Sequence, residues 1–179
     1  MSFAICAALR PSQRQPSHDS LGEYHSCLGE QTVRQEGTLE RFVGDGIVVV
    51  FNDPLPCADH TERAVSMAAA MRDAIDEHSE QWRKRDYLLG FGIGIARGHA
   101  TIGRIGFDQR SDYAVIATVS NHAARLCEEA KSRQILVSQR VVGAVESLVE
   151  SVPVGELTLK GFCRPMPAYE IVRWIGRPS

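Results

Sequence analysis

Apolar and polar positions first organise around residues 38–51. Leu39, Arg41 and Val43 alternate with Glu40 and Phe42, the period of an extended chain. Ile47-Val48-Val49-Val50-Phe51 is an unbroken, mostly β-branched run of the kind that fills a buried strand. Between them Gly44-Asp45-Gly46 predicts a hairpin turn with one carboxylate at its tip. That carboxylate reads either as a turn residue or as a ligand for a divalent cation. Upstream, Leu21, Tyr24 and Leu28 fall on one face of a helix that ends near Gly37, and Ser20 with Glu23 forms a capping box at its start. Downstream, residues 52–56 read as a turn. Residues 58–83 read as a long helix whose stripe is Ala64, Ala68, Met71 and Ile75. The run Trp82-Arg83-Lys84-Arg85-Asp86 reads as a solvated helix end.

The second half alternates in the same way. Residues 87–96 predict a strand with Phe91, Ile93 and Ile95 on one face and Gly90, Gly92 and Gly94 on the other, where something must approach closely. The glycine spacing is not that of a dinucleotide-binding loop, and no helix follows at once, so a Rossmann reading is rejected. Residues 97–99 turn the chain, 100–106 return as a strand, and 113–116 are short and apolar. A helix is expected over 120–130, a strand over 134–137 and a helix over 138–149. A closing hairpin is expected over 155–161 and 168–173. Helices alternating with antiparallel hairpins argue an α+β fold in one domain.

Composition narrows the function classes. The chain has 179 residues, enough for one sizeable core, and a net charge of -2, which invites neither nucleic acid nor an anionic membrane. The 5 cysteines are scattered, with no Cys-x-x-Cys pair, which argues against zinc and a disulfide framework and for a reduced, cytoplasmic setting. No apolar run reaches the length of a membrane span. Residues 1–19 are expected to be an irregular or disordered N-terminal segment, although 2–9 have the composition of a short strand. The domain is expected over 20–175, with a tail over 176–179.

At this point the chain resembles the catalytic domain of the class III adenylate/guanylate cyclases. The resemblance covers about residues 20–173. Residues 37–46, Gly-Thr-Leu-Glu-Arg-Phe-Val-Gly-Asp-Gly, resemble the family's second metal-binding hairpin. Residues 92–98 with 102–106 resemble its central glycine-rich hairpin. Residues 112–116 with 121–126 resemble its nucleotide-binding strand and helix, and 134–138 and 159–162 its last segments. The resemblance implies a ferredoxin-like α/β sandwich working as a head-to-tail dimer with active sites at the interface. The implied reaction is attack of a ribose 3'-hydroxyl on the α-phosphate of ATP or GTP, giving a 3',5'-cyclic nucleotide and pyrophosphate, for intracellular signalling.

Carried over by position, the resemblance makes Asp45 a ligand for Mg²⁺ or Mn²⁺. Asn121 becomes the ribose-orienting asparagine and Arg125 the arginine that stabilises charge at the α-phosphate. Lys160 becomes the lysine that grips the terminal phosphates. Asn121 has the alternative reading of a helix cap beside Ser120. Arg41 and Ala114 take the base-selecting positions. A guanidinium cannot accept guanine's N–H protons, and alanine reads nothing, so the lean is to ATP. One feature departs from the pattern. The family's first metal aspartate lies on an N-terminal strand in a segment like Phe-Ala-Asp-Ile-x-Gly-Phe-Thr. This chain has Phe3-Ala4-Ile5-Cys6-Ala7-Ala8-Leu9-Arg10 there, so that strand and its aspartate are expected to be missing. Three explanations stand: a truncated start, pairing with a complete cyclase chain, or a domain that binds nucleotide or partners without turnover. A diguanylate cyclase is disfavoured because Val43-Gly44-Asp45-Gly46-Ile47 is not Gly-Gly-Asp/Glu-Glu-Phe.

Overall fold

The computed structural model describes residues 2–11, 18–84, 89–107, 110–116 and 118–176. Its centre is a strand that the sequence leaves in doubt. β1 (Ser2–Pro11) pairs antiparallel with β3 (Gly46–Phe51) on one side and with β4 (Leu89–Gly98) on the other. This corrects the expected irregular segment over 2–11. The segment is short and has no polar/apolar alternation, so the period test cannot see it; it becomes a strand because two neighbours offer it free backbone N–H and C=O groups. Residues 12–17 lie outside the described residues.

With β2 (Thr38–Val43) outside β3, the strands run β2-β3-β1-β4, all antiparallel. α1 (His18–Arg34) connects β1 to β2, and α2 (His60–Lys84) connects β3 to β4. This is the ferredoxin-like β-α-β-β-α-β arrangement. The sheet then grows past β4 through β7 (Ile135–Ser138), β9 (Met166–Trp174) and β8 (Val149–Leu157), giving seven strands. Among the described residues only the β4–β7 pairing within it is parallel. A separate antiparallel hairpin joins β5 (Thr101–Phe107) to β6 (Arg110–Ile116). The closing hairpin pairs β8 with β9, but its first strand starts at Val149 and not at 155, so the helix expected over 138–149 stops short of it; residues 177–179 lie outside the described residues.

The two sheet faces carry two cores. α1, α2 and α4 (Gln139–Val145) cover one, where Tyr24, Leu28, Met67, Met71 and Trp82 meet Ile47, Val49, Ile93 and Ile95. Each such fully buried apolar side chain contributes about 1.5–3 kcal/mol. The other is covered by α3 (Thr118–Glu129) and the segment entering β9, where Val119, Ala123 and Leu126 meet Ala96, Leu136 and Leu159.

Two further local expectations change. Ser20 is not a cap, since α1 already begins at His18, and the Glu23 carboxylate instead accepts a hydrogen bond from Trp82 Nε1 at 2.9 Å. Trp82 is accordingly buried and not part of a solvated end, while Arg83 and Lys84 are exposed. The bond fastens the start of α1 to the last turns of α2.

Candidate active site

The Asp45 hairpin is a tight turn because Gly44 takes a left-handed φ of 61°, which costs glycine nothing. The tip is fastened from α1: His25 Nε2 donates to the Asp45 carbonyl at 3.1 Å, and the same ring packs on Phe42 with centroids 5.0 Å apart. A carbonyl only accepts, so this bond fixes the proton on Nε2. No local pattern points to His25, since a lone histidine on a helix has no period of its own. Leu39, Phe42 and Val43 on the same hairpin are exposed apolar side chains.

Asn121 and Arg125 stand on the outer ridge of α3. The inner ridge of Ala123 and Cys127 lies against β4 so closely that a Cβ on Gly94 would sit 2.1 Å from the Ala123 carbonyl oxygen and 2.3 Å from the Cys127 nitrogen. The close approach expected on the glycine face of β4 is therefore the backbone of α3 itself. Cys127 Sγ completes the seam by donating to the Gly92 carbonyl at 3.3 Å. Asn121 lies inside the helix and is exposed, which removes the cap reading. Arg125 Nη1 donates to both oxygens of Glu128 at 2.7 and 2.6 Å, with side-chain exposures of 33% and 59%. An exposed pair of this spacing is worth a few tenths of a kcal/mol, so a phosphate can displace Glu128 readily.

Lys160 is exposed in the turn between β8 and β9. Leu159 is buried beneath it, Phe162 N donates to the Leu159 carbonyl at 3.1 Å, and the Phe162 ring lies 5.2 Å from His122 of α3. The turn is thus pinned to the start of α3, beside Asn121. Arg41 is half-exposed and paired with Glu40 at 2.9 Å. Ala114 sits in β6 opposite Gly103.

The chain brings Asn121, Arg125 and Lys160 to one flank and holds Asp45 away from the last of these. α3 begins over Gly98, whereas the β1 register carries the Asp45 tip toward the Phe91 end of β4. Those two levels are about 23 Å apart at about 3.3 Å per strand residue. β1 passes the tip with Ala7 opposite Ile47, and the next step sets Ala8 beside Gly46. The strand expected to be missing is therefore present, and it carries no carboxylate. Among the described residues no group of three or more His, Cys, Asp and Glu side chains is placed to hold a metal. Asp45 alone does not fit Mg²⁺ or Mn²⁺, which take several oxygen ligands.

Two buried histidines give the fold a pH dependence. Burial pushes His122 below its ordinary value of 6.5, and burial is also the main cause of the lowering at His60, whose Nδ1 donates to the Cys57 carbonyl at 2.7 Å. A base with a depressed folded pKa takes up its proton preferentially in the unfolded chain. Their contribution is whole above pH 6.5 and shrinks as pH falls below it. The denaturation midpoint should drop across that window, and a His122→Gln variant should show a shallower fall. An equal slope in both would contradict this account.

A family model described as the adenylate and guanylate cyclase catalytic domain matches residues 6–173. An uncharacterised protein of Mycobacterium tuberculosis is 29% identical over 163 residues, spanning 89% of this chain and 28% of the relative. Adenylate cyclase 1 of Rhizobium meliloti is 27% identical over 157 residues, 85% of this chain and 23% of that protein. The chain thus spans about a quarter of the length of these curated relatives. The crystal structure of the adenylyl cyclase CyaB from P. aeruginosa superposes with a TM-score of 0.90 at 28% identity, covering 96% of this chain and 93% of that one.

Proposed function

The chain belongs to the adenylate and guanylate cyclase catalytic-domain family, and from that premise we propose that it is the nucleotide-holding partner in a two-chain site that converts ATP to a 3',5'-cyclic nucleotide and pyrophosphate in the cytoplasm. Members of this family bind nucleotides and work as dimers. The observation that carries the reading is β1: it fills the place between β3 and β4 yet offers no acid beside Asp45. A symmetric pair of these chains has one carboxylate per site. A partner cyclase chain that carries both metal aspartates supplies what is absent, and divalent cations held there would neutralise phosphate charge and activate the ribose hydroxyl.

This chain's own residues then have defined work. Lys160, presented on a turn anchored by Leu159 and Phe162, holds the terminal phosphates. Asn121, one α-helical turn from Arg125, donates and accepts with the ribose and fixes the direction of its 3'-hydroxyl. Arg125 leaves Glu128 and places its guanidinium on the α-phosphate oxygens, where charge grows in the transition state. Arg41 at the base position rejects guanine's N–H donors, and the likeness to proteins named as adenylate cyclases supports ATP. The apolar Leu39, Phe42 and Val43 beside Asp45 support a protein partner over that hairpin.

The test pairs this chain with a cyclase domain that has both metal aspartates but whose counterpart of Arg125 is replaced by alanine, which silences that domain alone. Adding this chain with Mn²⁺ and ATP should restore cyclic nucleotide. The lack of an acid on β1 also supports a second reading, a domain that binds ATP and pairs without turnover. Nucleotide binding with no product in the mixture would favour that second reading over the first.

A further inference from the structure

At the end of the sheet away from the Asp45 hairpin lies a cavity of about 340 Å³. It opens where β4 and β7 finish and α3 and α4 begin. Arg97 and His99 come from the β4 end, Thr118 and His122 from α3, and Ser138 and Arg140 from the β7–α4 junction. A second cavity of about 460 Å³ adjoins it and shares Arg97, His99 and Arg140. No carboxylate lines either. The far wall is apolar, formed by Val119, Phe162, Met166 and Pro167.

Two lining side chains are buried and unsatisfied. His122 is 8% exposed and Ser138 4%, and neither His122 Nε2 nor Ser138 Oγ has a hydrogen-bond partner. Buried polar atoms without partners are rare, and two facing one cavity call for an occupant that can bond both. Both can donate: a hydroxyl has one O–H, and a neutral imidazole one N–H. The start of the 12-residue helix α3 adds partial positive charge at Thr118. Two guanidiniums, donors from His122 and Ser138 and no acid describe a receptor for an oxyanion. The apolar wall describes a receptor for what the oxyanion is attached to.

We propose that this cavity binds a small organic phosphate, with its phosphate between Arg140, Ser138 and His122 and its apolar part along Phe162 and Met166. The site is separate from the outer ridge of α3, since His122 and Val119 face inward where Asn121 faces out. It is nevertheless coupled to that ridge. His122 adjoins Asn121 in sequence, and Phe162 holds the turn that presents Lys160. Occupancy would stiffen both nucleotide-holding elements.

Binding needs no turnover, so the test stands apart from the cyclase reading. Phenyl phosphate and inorganic phosphate are titrated calorimetrically into the purified chain and three variants. Phenyl phosphate should bind saturably and more tightly than inorganic phosphate. Arg140→Ala and Ser138→Ala should each weaken it about 10-fold or more, the value of a hydrogen bond to a charged group. Arg140 is exposed, and Ser138→Ala removes an unsatisfied buried hydroxyl, so both variants should fold. Arg125→Ala should leave the affinity unchanged. Absence of saturable binding, equal affinity for the two phosphates, or a loss in Arg125→Ala matched by none in the cavity variants would each overturn the proposal.

Discussion

A chain given an aspartate on β1 should form cyclic nucleotide as a homodimer, and Arg125→Ala in that background should cut the rate about 10²–10³-fold, the usual loss when one charge-stabilising donor is removed from a developing oxyanion. The aspartate is placed in turn at Ala7, opposite Ile47, and at Ala8, the next step in the register. Successive strand residues point to opposite faces, so one of the two lies on the side of Asp45. The decisive arm is a mixture. The double variant, with the new aspartate and Arg125→Ala, keeps a metal half but loses its nucleotide half. The native chain keeps Asn121, Arg125 and Lys160 but lacks the second carboxylate. Each alone should be nearly silent, and the mixture should turn ATP over. A silent mixture in which the single aspartate variant is active would mean that the two halves do not meet across chains, and the composite site would have to be abandoned. Arg125 loses little on leaving Glu128, because that pair is solvent-exposed.

Gly94→Ala should destabilise the fold by about 3 kcal/mol, the upper end of overpacking in a filled core. For a domain of this size that is a fall in melting temperature of about 6–12 °C, at about 2–4 °C per kcal/mol. The added methyl would meet the Ala123 carbonyl at 2.1 Å and the Cys127 amide at 2.3 Å, both backbone atoms of a helix that cannot turn aside as a flexible side chain can. Either β4 or α3 must move. Since α3 carries Asn121 and Arg125, the partly folded survivor should also bind nucleotide less well. The contrasting control is Gly143→Ala on α4, where a Cβ would have nothing within 4 Å. If the two variants melt alike, the packing of α3 on β4 is not what fixes this face of the domain.

Much of the candidate site rests on the order of short motifs. Asp45 between a polar-alternating strand and a β-branched one, and Asn121 four residues before Arg125, are local patterns that the fold keeps. The glycine face of β4 is also legible, and its purpose is structural: it admits α3 and not a ligand. What resists reading follows from distance along the chain. β1 has no period, and its strand state depends on β3 and β4, which begin more than a full helix later. His25 supports the Asp45 tip from α1, 20 residues away, and Glu23 binds Trp82 across 59. No local pattern encodes such pairs. The His122 and Ser138 cavity is of the same kind, since each residue is unremarkable until both are buried in the lining of one cavity.

By itself the sequence determined the alternation of helices and hairpins, the family likeness, and the residue types on each candidate motif, with no acid over residues 2–11, because these depend on residue identity and on spacings of a few positions. Tertiary structure alone decided that the acid-free segment is the central strand and not a missing one. It also placed Asp45 and Lys160 toward different ends of the sheet and left two buried polar atoms lining a cavity that carries Arg97 and Arg140. Those outcomes depend on which strands pair and in what register, which long-range backbone hydrogen bonding and burial settle together.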